Sequence, residues 1–519
     1  MSIENKPPAG TQLGSVEPHA FSDPEEARYW QQLYEKAGYE GRHRFDPSFQ
    51  WSAQGERLLR RKLDLRIMLW VWIMFSSLDL VRRNINRAVS DNLLDDLGVS
   101  TNDYNTGQTI YYVFFLAAEL PGGLISKKVG PFRYTPAAIV LWGVLCAVQT
   151  CMRGRASFWT LRALLGVCQG GFVPEMVLYL SYFFKGNELP FRLSVFWTAI
   201  PLTQVYGSLL ASGILLMRGL RGWAGWQWLF LFEGLICIII GIISFFVMPA
   251  SITEPALGFR RSDGSNKWWT EDEEKVLVNR LLRDDPSKGD INNRNGINVK
   301  GVIDAFTNVD LWPIYLLGLS AFIPFQPTAN YLSLTLRNLG YSVFESNILT
   351  IPGYILYTIN TLICGWLSEK LNERCLVAAI SNIWMLPFFA GLIGISPDAS
   401  PWVRYVLLTC INGIPYTHSI LVGMASKNAK GVARRTCSAA AYNMSYQVGS
   451  IIAVNIYRDN DTPYYYTGNR ALTGLCVANI LFFILTKIYY IRRNKSIVKQ
   501  YNDLPESEKL GVIDMRFAH

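Results

Sequence analysis

Long apolar runs separated by short polar stretches dominate the chain. A helix that spans a bilayer needs about 20 mostly apolar residues, and such runs follow one another in two sets of six. The predicted spans lie near residues 66–88, 107–127, 134–152, 158–184, 191–217, 226–248, 311–335, 345–367, 375–396, 402–425, 434–457 and 469–491. The pattern therefore predicts an all-α membrane protein with twelve transmembrane helices in two six-helix halves.

Basic residues are distributed unequally over the connecting segments. Clusters of Lys and Arg precede span 1, separate spans 2 and 3, separate spans 10 and 11, and follow span 12, whereas the alternate loops hold few. Because Lys and Arg stay on the cytoplasmic side, both termini are predicted to be cytoplasmic. The predicted organisation is a tail at 1–62, a half at 63–248, a cytoplasmic loop with an amphipathic helix at 249–310, a half at 311–493 and a tail at 494–519.

Composition agrees with a chain whose solvent is largely lipid. Of the 519 residues, 50% are hydrophobic and 17% are charged, against about 25% charged in a soluble domain. The net charge is +9, but Lys and Arg punctuate apolar runs, so no nucleic-acid partner is expected. The nine cysteines form no CxxC motif and no phosphate loop is present, so we expect no metal, no cofactor and no enzyme chemistry.

Two turns, GGLISKKVGPFR after span 2 and GWLSEKLNER after span 8, indicate an internal repeat. Gly123 aligns with Gly365, and Lys128 then aligns with Lys370. Lys128, Glu369 and Lys370 are assigned to gating or structure. Repeated halves place a binding site at their interface, near the bilayer midplane.

Ionisable side chains inside apolar spans mark a pathway or an ion pair. Glu175, beside Pro174 in the run QGGFVPEMVLYLSYFF, is predicted to carry a coupled proton, with a fixed ion pair to an Arg as the alternative. Arg82 and Arg83 point about 100° apart on a helix, so at most one faces a cavity squarely. Arg82 is predicted to bind an anion because a guanidinium fits carboxylate and sulfonate groups. The alternative is that both arginines reach to the membrane surface.

Other polar residues of the spans have less specific roles. Glu119, Arg162, Gln169 and Glu233 are assigned to gating or structure. His418 is a second candidate for proton coupling, with a satisfied core histidine as the alternative. Five uncharged side chains are predicted to bind substrate, or equally to join helices: Gln204, Asn330, Tyr442, Asn443 and Gln447.

Several segments between about residues 54 and 494 together resemble the fungal allantoate permease family, among the anion:cation symporters of the major facilitator superfamily. They include SSLDLVRRNINRAVSDNLLDDLG, AELPGGLISKKVGPFR, RALLGVCQGGFVPEMVLYLSYFF and AAYNMSYQVGSIIAVNIYR. The nearest subgroup is that of the alternative sulfate and sulfonate transporters. The resemblance implies that Arg82 and Asn84 match the family's span-1 Arg and Asn, so Asn84 joins the predicted substrate ligands. Two acids of the family fall on Val81 and Gln169, which leaves Glu175 as the acid of span 4.

The sequence thus predicts a monomeric carrier of the major facilitator fold in the plasma membrane. It is expected to import a small organic or sulfur-containing anion together with protons, by alternating access across the lipid bilayer. One alternative is a proton-driven drug exporter of the same fold. Another is a nutrient sensor that does not transport its ligand.

Overall fold

The described part of the chain is helical. The structure, a computed structural model, describes residues 21, 23–186, 188–259, 268–289, 299–396, 398–429, 432–502 and 517–518. No β-strand occurs in these ranges. Parts of both predicted tails and of the predicted loop at 249–310 lie outside the described residues.

The α-helices are numbered here in chain order. The first twelve are α1 (Pro24–Ala37), α2 (Ala53–Leu63), α3 (Leu69–Ala88), α4 (Leu93–Leu97), α5 (Thr101–Val129), α6 (Pro131–Val148), α7 (Gly154–Gln169), α8 (Phe172–Ser181), α9 (Leu189–Trp197), α10 (Ala199–Ile214), α11 (Gly225–Val247) and α12 (Glu271–Asp284). The others are α13 (Val299–Thr307), α14 (Trp312–Ser320), α15 (Phe325–Asn338), α16 (Val343–Ile348), α17 (Ile351–Leu371), α18 (Cys375–Gly394), α19 (Pro401–Asn412), α20 (His418–Asn428), α21 (Val432–Ala453) and α22 (Tyr466–Asn502).

All twelve predicted spans coincide with helices. Nine helical segments in the described ranges are long and apolar enough to cross a membrane. They are Thr101–Ser126, Pro131–Cys151, Gly154–Ser181, Phe191–Met217, Gly225–Val247, Val309–Asn338, Val343–Leu371, Cys375–Gly394 and Tyr466–Lys499. The remaining three predicted spans fall on α3, on α19 with α20, and on α21. These are less apolar or less continuous. Helix α3 contains four charged residues, α19 and α20 are separated by five residues, and α21 contains two arginines and three serines.

Five of the predicted spans are each built from two helices. The break between α7 and α8 lies at Gly170 and Gly171, and Gly171 has φ +85°, a conformation that only glycine adopts without strain. The other breaks separate α9 from α10, α14 from α15, α16 from α17, and α19 from α20. Broken spans let side chains at the helix ends turn into the protein interior.

The helices α5 and α7 approach each other closely through glycine. A Cβ atom added at Gly166 would lie 2.5 Å from the carbonyl oxygen of Tyr111. One added at Gly170 would lie 2.5 Å from the carbonyl oxygen of Phe115. Small residues of this kind allow membrane helices to pack backbone against backbone, so the register of α5 against α7 is fixed.

The chain divides into two compact units, one of them polar. This polar unit consists of the described residues of 1–70, 178–192 and 246–295. Its helix α12 starts after Thr270, whose hydroxyl accepts from the backbone N–H of Glu273 in a capping box. Arg280 of this helix is buried and donates to Glu188. The unit is therefore built around ion pairs as well as apolar contacts.

The second unit, called the bundle here, comprises residues 71–177, 193–245 and the described residues from 296 onward. Within it, side chains of the two predicted halves meet where α3 ends and α5 begins. The hydrogen bonds there are Asn86 Nδ2 to Asn330 Oδ1, Asn347 Nδ2 to Ser90 Oγ, Asn105 Nδ2 to the carbonyl of Tyr457, Tyr331 Oη to Asn105 Oδ1, Asn455 Nδ2 to Thr109 Oγ1, and Ser208 with Thr350. These contacts hold the two halves together at that end of the bundle.

Candidate substrate-binding site

A cavity inside the bundle collects the polar side chains of both halves. Its water-accessible volume is about 60 Å³, where a site for one water needs roughly 10 to 15 Å³. The lining includes two arginines, two carboxylates, four side-chain amides and eight aromatic rings. Those amides are Gln326, Asn330, Asn443 and Gln447. The cavity therefore offers charged, polar and aromatic surfaces to a small ligand.

Arg82 lines the cavity without a carboxylate partner in the described part of the chain. Its guanidinium lies over three aromatic rings of α5, 5.8 Å from the ring centre of Tyr111, 5.2 Å from Tyr112 and 5.4 Å from Phe115. Aromatic faces attract a cation and hold it in place, yet they leave its hydrogen-bond donors open. Arg82 thus offers a positioned, unneutralised positive charge to the cavity.

Arg83 also lines the cavity, but its charge is balanced. Its Nε atom lies 3.0 Å from Oδ1 of Asp79, four residues earlier on α3. The other oxygen of Asp79 accepts from the side chain of Gln204, whose own oxygen accepts from Arg87 at 2.9 Å. Arg87 in turn lies 4.0 Å from Glu233. The acid that balances Arg83 is therefore held in a buried polar network.

The predicted proton carrier, Glu175, is buried but is not among the cavity-lining residues. Its neighbours Val173 and Pro174 line the cavity instead. Glu119, assigned from sequence to gating or structure, does line the cavity and is 3% exposed. Besides Asp79, which is paired with Arg83, the carboxylate in the cavity lining therefore belongs to α5.

Two residues assigned to gating or structure form a cluster behind Arg82. Arg162 is buried, donates to Gln108 and lies 4.4 Å from the ring centre of Tyr111. The hydroxyl of Tyr111 donates to Gln169 at 2.6 Å. This cluster fixes the orientation of the Tyr111 ring, which contacts Arg82.

The second candidate for proton coupling, His418, lines the cavity among aromatic rings. Its ring centre lies 4.8 to 5.8 Å from those of Trp197, Phe322, Tyr416, Tyr442 and Tyr446. Its Nδ1 is 3.3 Å from the hydroxyl of Tyr442. A histidine enclosed by rings in this way packs as part of an aromatic wall.

The predicted substrate ligands divide into two groups. Asn330, Asn443 and Gln447 line the cavity, as Arg82 does. Asn84, Gln204 and Tyr442 are buried but do not line it. Asn84 donates to the thiol of Cys146 at 3.2 Å, and the side chain of Gln204 donates to Asp79. Asn84 and Gln204 therefore both make structural contacts in this state.

The remaining gating candidates lie away from the cavity. Glu233 is fully buried beside Arg87. Lys128, Glu369 and Lys370 are exposed, and the ammonium of Lys370 lies 4.6 Å from the ring centre of Trp366. They do not contribute to the cavity wall in this conformation.

Sequence reasoning did not predict the aromatic part of the cavity. Rings from α3, α9, α15, α17 and α21 and from the segment before α20 line it: Phe75, Trp197, Phe325, Tyr357, Tyr446 and Tyr416. Aromatic residues make up 13% of the chain and occur in most spans. Their spacing alone therefore does not distinguish cavity-facing rings from lipid-facing ones.

Comparisons with known proteins agree with this architecture. The sequence profile of the Major Facilitator Superfamily matches residues 71–454. The uncharacterized transporter YIL166C of Saccharomyces cerevisiae is 49% identical over 500 residues, covering 96% of this chain and 92% of that protein. A putative tartrate transporter of Agrobacterium vitis is 26% identical over 443 residues, covering 83% of this chain and 92% of the relative.

Two solved structures share the fold. One is a bacterial homolog of the human lysosomal transporter Spinster, inward-facing and occupied, with a TM-score of 0.58, 12% identity, and coverage of 83% of this chain and 97% of that one. The other is the xylose transporter XylE from E. coli in a partially occluded inward-open conformation, with a TM-score of 0.58, 12% identity and coverage of 80% and 96%.

The predicted fold class, twelve helices in two halves, is confirmed by these likenesses, and so is the predicted absence of enzyme function. The resemblance stated from sequence is confirmed at the level of the superfamily. A profile that covers residues 71–454 includes most of both halves and every residue of the cavity lining. The chain is a multi-pass membrane transporter and belongs to the Major Facilitator Superfamily.

Proposed function

We propose that this transporter imports a small organic or sulfur-containing anion together with protons, as members of the allantoate permease family do. Sulfonates, sulfate, carboxylates and anionic vitamins are the substrate classes considered. The carrier would act as a monomer in the plasma membrane, with both termini in the cytoplasm. Alternating access of the central cavity would move the anion across the bilayer.

The observation that carries this proposal is the unpaired charge of Arg82. Arg82 is partly buried in the cavity wall. A cation withdrawn from water without a counterion is costly, so a protein that retains one in a cavity has a use for it. Asp79 balances Arg83 at 3.0 Å and leaves Arg82 as the charge available to a ligand. An anionic group on the substrate would restore neutrality and accept hydrogen bonds from the guanidinium.

The rest of the lining favours an organic anion over a bare inorganic one. Aromatic rings provide apolar contact surface for a carbon skeleton, and the amides Asn330, Asn443 and Gln447 provide donors and acceptors for its polar groups. The relative from Agrobacterium vitis is named a putative tartrate transporter, and tartrate is a small organic dianion. This supports an anion as cargo.

Proton coupling follows from the charge of the cargo. An anion that enters alone moves against an inside-negative membrane potential, at a cost of about 2.3 kcal/mol per charge for each 100 mV. A co-transported proton removes this cost for a monovalent anion. The sequence-based candidates for its carrier are Glu175 and His418.

Uptake of labelled anions by cells that express the protein tests the proposal. The panel is sulfate, taurine, nicotinate, allantoate and biotin, each at about pH 5 and about pH 7.5. We expect one of them to enter faster at the acid pH. Arg82→Ala is expected to reduce that uptake at least about thirtyfold, because losing a buried charge contact costs roughly 2 kcal/mol or more.

The control variant is Arg492→Ala, which removes an exposed cation of α22 outside the cavity lining and should leave uptake unchanged. Unimpaired uptake by Arg82→Ala would contradict the proposed ligand. Expulsion of cationic dyes in place of anion uptake would indicate a drug exporter. A growth signal without movement of any label would indicate a sensor.

A further inference from the structure

Glu119 on α5 lies in surroundings that neither the sequence pattern nor the comparisons with known proteins explain. It lines the cavity, is 3% exposed, and its Oε2 atom has no hydrogen-bond partner in the described part of the chain. No ion pair to Glu119 occurs among the described residues. An ionised carboxylate in such a place carries an uncompensated burial cost, and a proton on it removes that cost.

Glu119 lies on the same face of α5 as two of the aromatic rings that contact Arg82. Tyr112, Phe115 and Glu119 are spaced three and four residues apart, which puts them on one face of α5. Tyr112 and Phe115 are two of the rings that hold the Arg82 guanidinium, at 5.2 and 5.4 Å. With a rise of about 1.5 Å per residue, Glu119 lies roughly 6 Å along the helix from Phe115. The carboxylate and the guanidinium therefore share one cavity wall.

Close packing fixes the orientation of this part of α5. A Cβ atom added at Gly171 would lie 3.2 Å from the carbonyl oxygen of Glu119. The backbone of α5 at Glu119 thus rests on the break between α7 and α8. The side chain is left on the side of the helix that faces the cavity.

The other intramembrane acids differ from Glu119 in their surroundings. Asp79 is paired with Arg83 and accepts from Gln204. Glu233 lies 4.0 Å from Arg87 and does not line the cavity. Glu175 is buried outside the cavity lining. Glu119 is therefore the cavity acid that has no cation beside it in the described residues.

We propose that Glu119 binds the co-transported proton and that its protonation admits the anion to Arg82. This inference rests on the proposed function and names the coupling group for it. A negative charge on Glu119 repels an anion held by Arg82, whereas the protonated acid does not. By linkage, the bound anion raises the proton affinity of Glu119 by the same factor.

The other ionisable groups of the cavity lining come from several helices. From α3 they are Asp79, Arg82 and Arg83, and from α20 the ring of His418. Phenols are contributed by Tyr112 of α5, Tyr357 of α17, Tyr446 of α21 and, from the segment before α20, Tyr416. On the side of α8, Glu175 follows the lining residue Pro174. Variants of Glu175 and His418 therefore serve as comparisons for any change that Glu119→Gln produces.

The first arm of the test measures uptake of labelled taurine and nicotinate by cells at acid and slightly alkaline pH. We expect Glu119→Gln to take up label at equal rates at both pH values, while Glu175→Gln and His418→Gln keep the acid stimulation. If Glu119→Gln keeps that stimulation, the inference is overturned and the proposed function stands. If the wild-type protein itself shows no acid stimulation, the proposed coupling fails, and the second arm decides about Glu119 alone.

The second arm needs no substrate. Infrared difference spectra of the purified full-length protein between acid and slightly alkaline pH report the carbonyl band of protonated carboxylic acids. We expect one component of this band to disappear in Glu119→Gln, to persist in Glu175→Gln and Glu233→Gln, and to reappear shifted in Glu119→Asp. The Asp variant also separates loss of the acid from loss of the fold. An unchanged band in Glu119→Gln overturns the inference.

Discussion

At the scale of single residues, two adjacent arginines have different partners although both lie one turn after the same acid. Asp79 is three residues before Arg82 and four before Arg83, and both spacings bring side chains together on a helix. In the structure Asp79 pairs with Arg83 at 3.0 Å, whereas Arg82 packs against the rings of Tyr112 and Phe115. The spacing in the sequence therefore shows that one of the two arginines can be neutralised, and the structure shows that it is Arg83.

Contacts between distant parts of the chain were not predictable in the same way. Gln204 of α10 was predicted to bind substrate, but its side chain donates to Asp79 and accepts from Arg87. Both partners lie on α3, more than a hundred residues earlier in the chain. The positions of Glu119 and Glu175 relative to the cavity depend on the rotation of α5 and α8. The sequence contains no direct signal for that rotation, since both acids lie within two residues of a proline in an apolar run.

The Asp79 network predicts a stability effect that a double variant reverses. Arg83→Gln is expected to lower the free energy of unfolding by about 3 kcal/mol, because it leaves Asp79 charged and buried without its cation. Asp79→Asn with Arg83→Gln should recover most of this loss. The melting temperature of the purified protein in detergent measures both effects, and equal melting of the single and double variants would contradict the pairing.

At the scale of elements, glycines set the distance between helices and the places where spans break. The hydrophobic pattern predicted a continuous span at 158–184, whereas the structure divides it into α7 and α8 at Gly170 and Gly171. The apolar run continues across the break, so periodicity gives no sign of it. The positive φ of Gly171 is a backbone property that appears only in the folded chain.

Substitution of the α5–α7 contact glycines is expected to be destabilising. Gly170→Ala places a methyl group where the carbonyl of Phe115 lies 2.5 Å away, and such overpacking costs about 1 to 3 kcal/mol. It should also reduce transport, since α5 carries Phe115 and Glu119. Gly365→Ala in α17 is the matched control, because nothing lies within 4 Å of its added Cβ. Similar melting temperatures for the two variants would show that the close approach does not limit stability.

At the scale of the whole molecule, the bundle is joined at one end by hydrogen bonds between its halves. Asn105 has a central position there, because its amide donates to the carbonyl of Tyr457 at 2.7 Å and its oxygen accepts from Tyr331. Under the predicted topology this end faces outward. Alternating access then requires these bonds to break each time the cavity opens to the outside.

Loss of the Asn105 contacts is therefore expected to favour the outward-open state. Asn105→Ala removes two hydrogen bonds, worth about 2 kcal/mol together, or roughly a thirtyfold shift in the opening equilibrium. Hydrogen–deuterium exchange should become faster in peptides that cover the start of α5 and the end of α21. Asn102→Ala, an exposed residue one turn earlier on the same helix, serves as the control. Unchanged exchange in Asn105→Ala would contradict a role for this contact in closing the cavity.

We propose that the Arg82 cavity carries an anion together with a proton. Accumulation of a labelled anion from the panel by purified protein in liposomes under an inward proton gradient tests this directly. We expect the label to rise above its external concentration, a protonophore to collapse this accumulation, and Arg82→Ala to abolish it while Arg492→Ala does not. Accumulation that persists in Arg82→Ala, or that is the same without a proton gradient, would rule the proposal out.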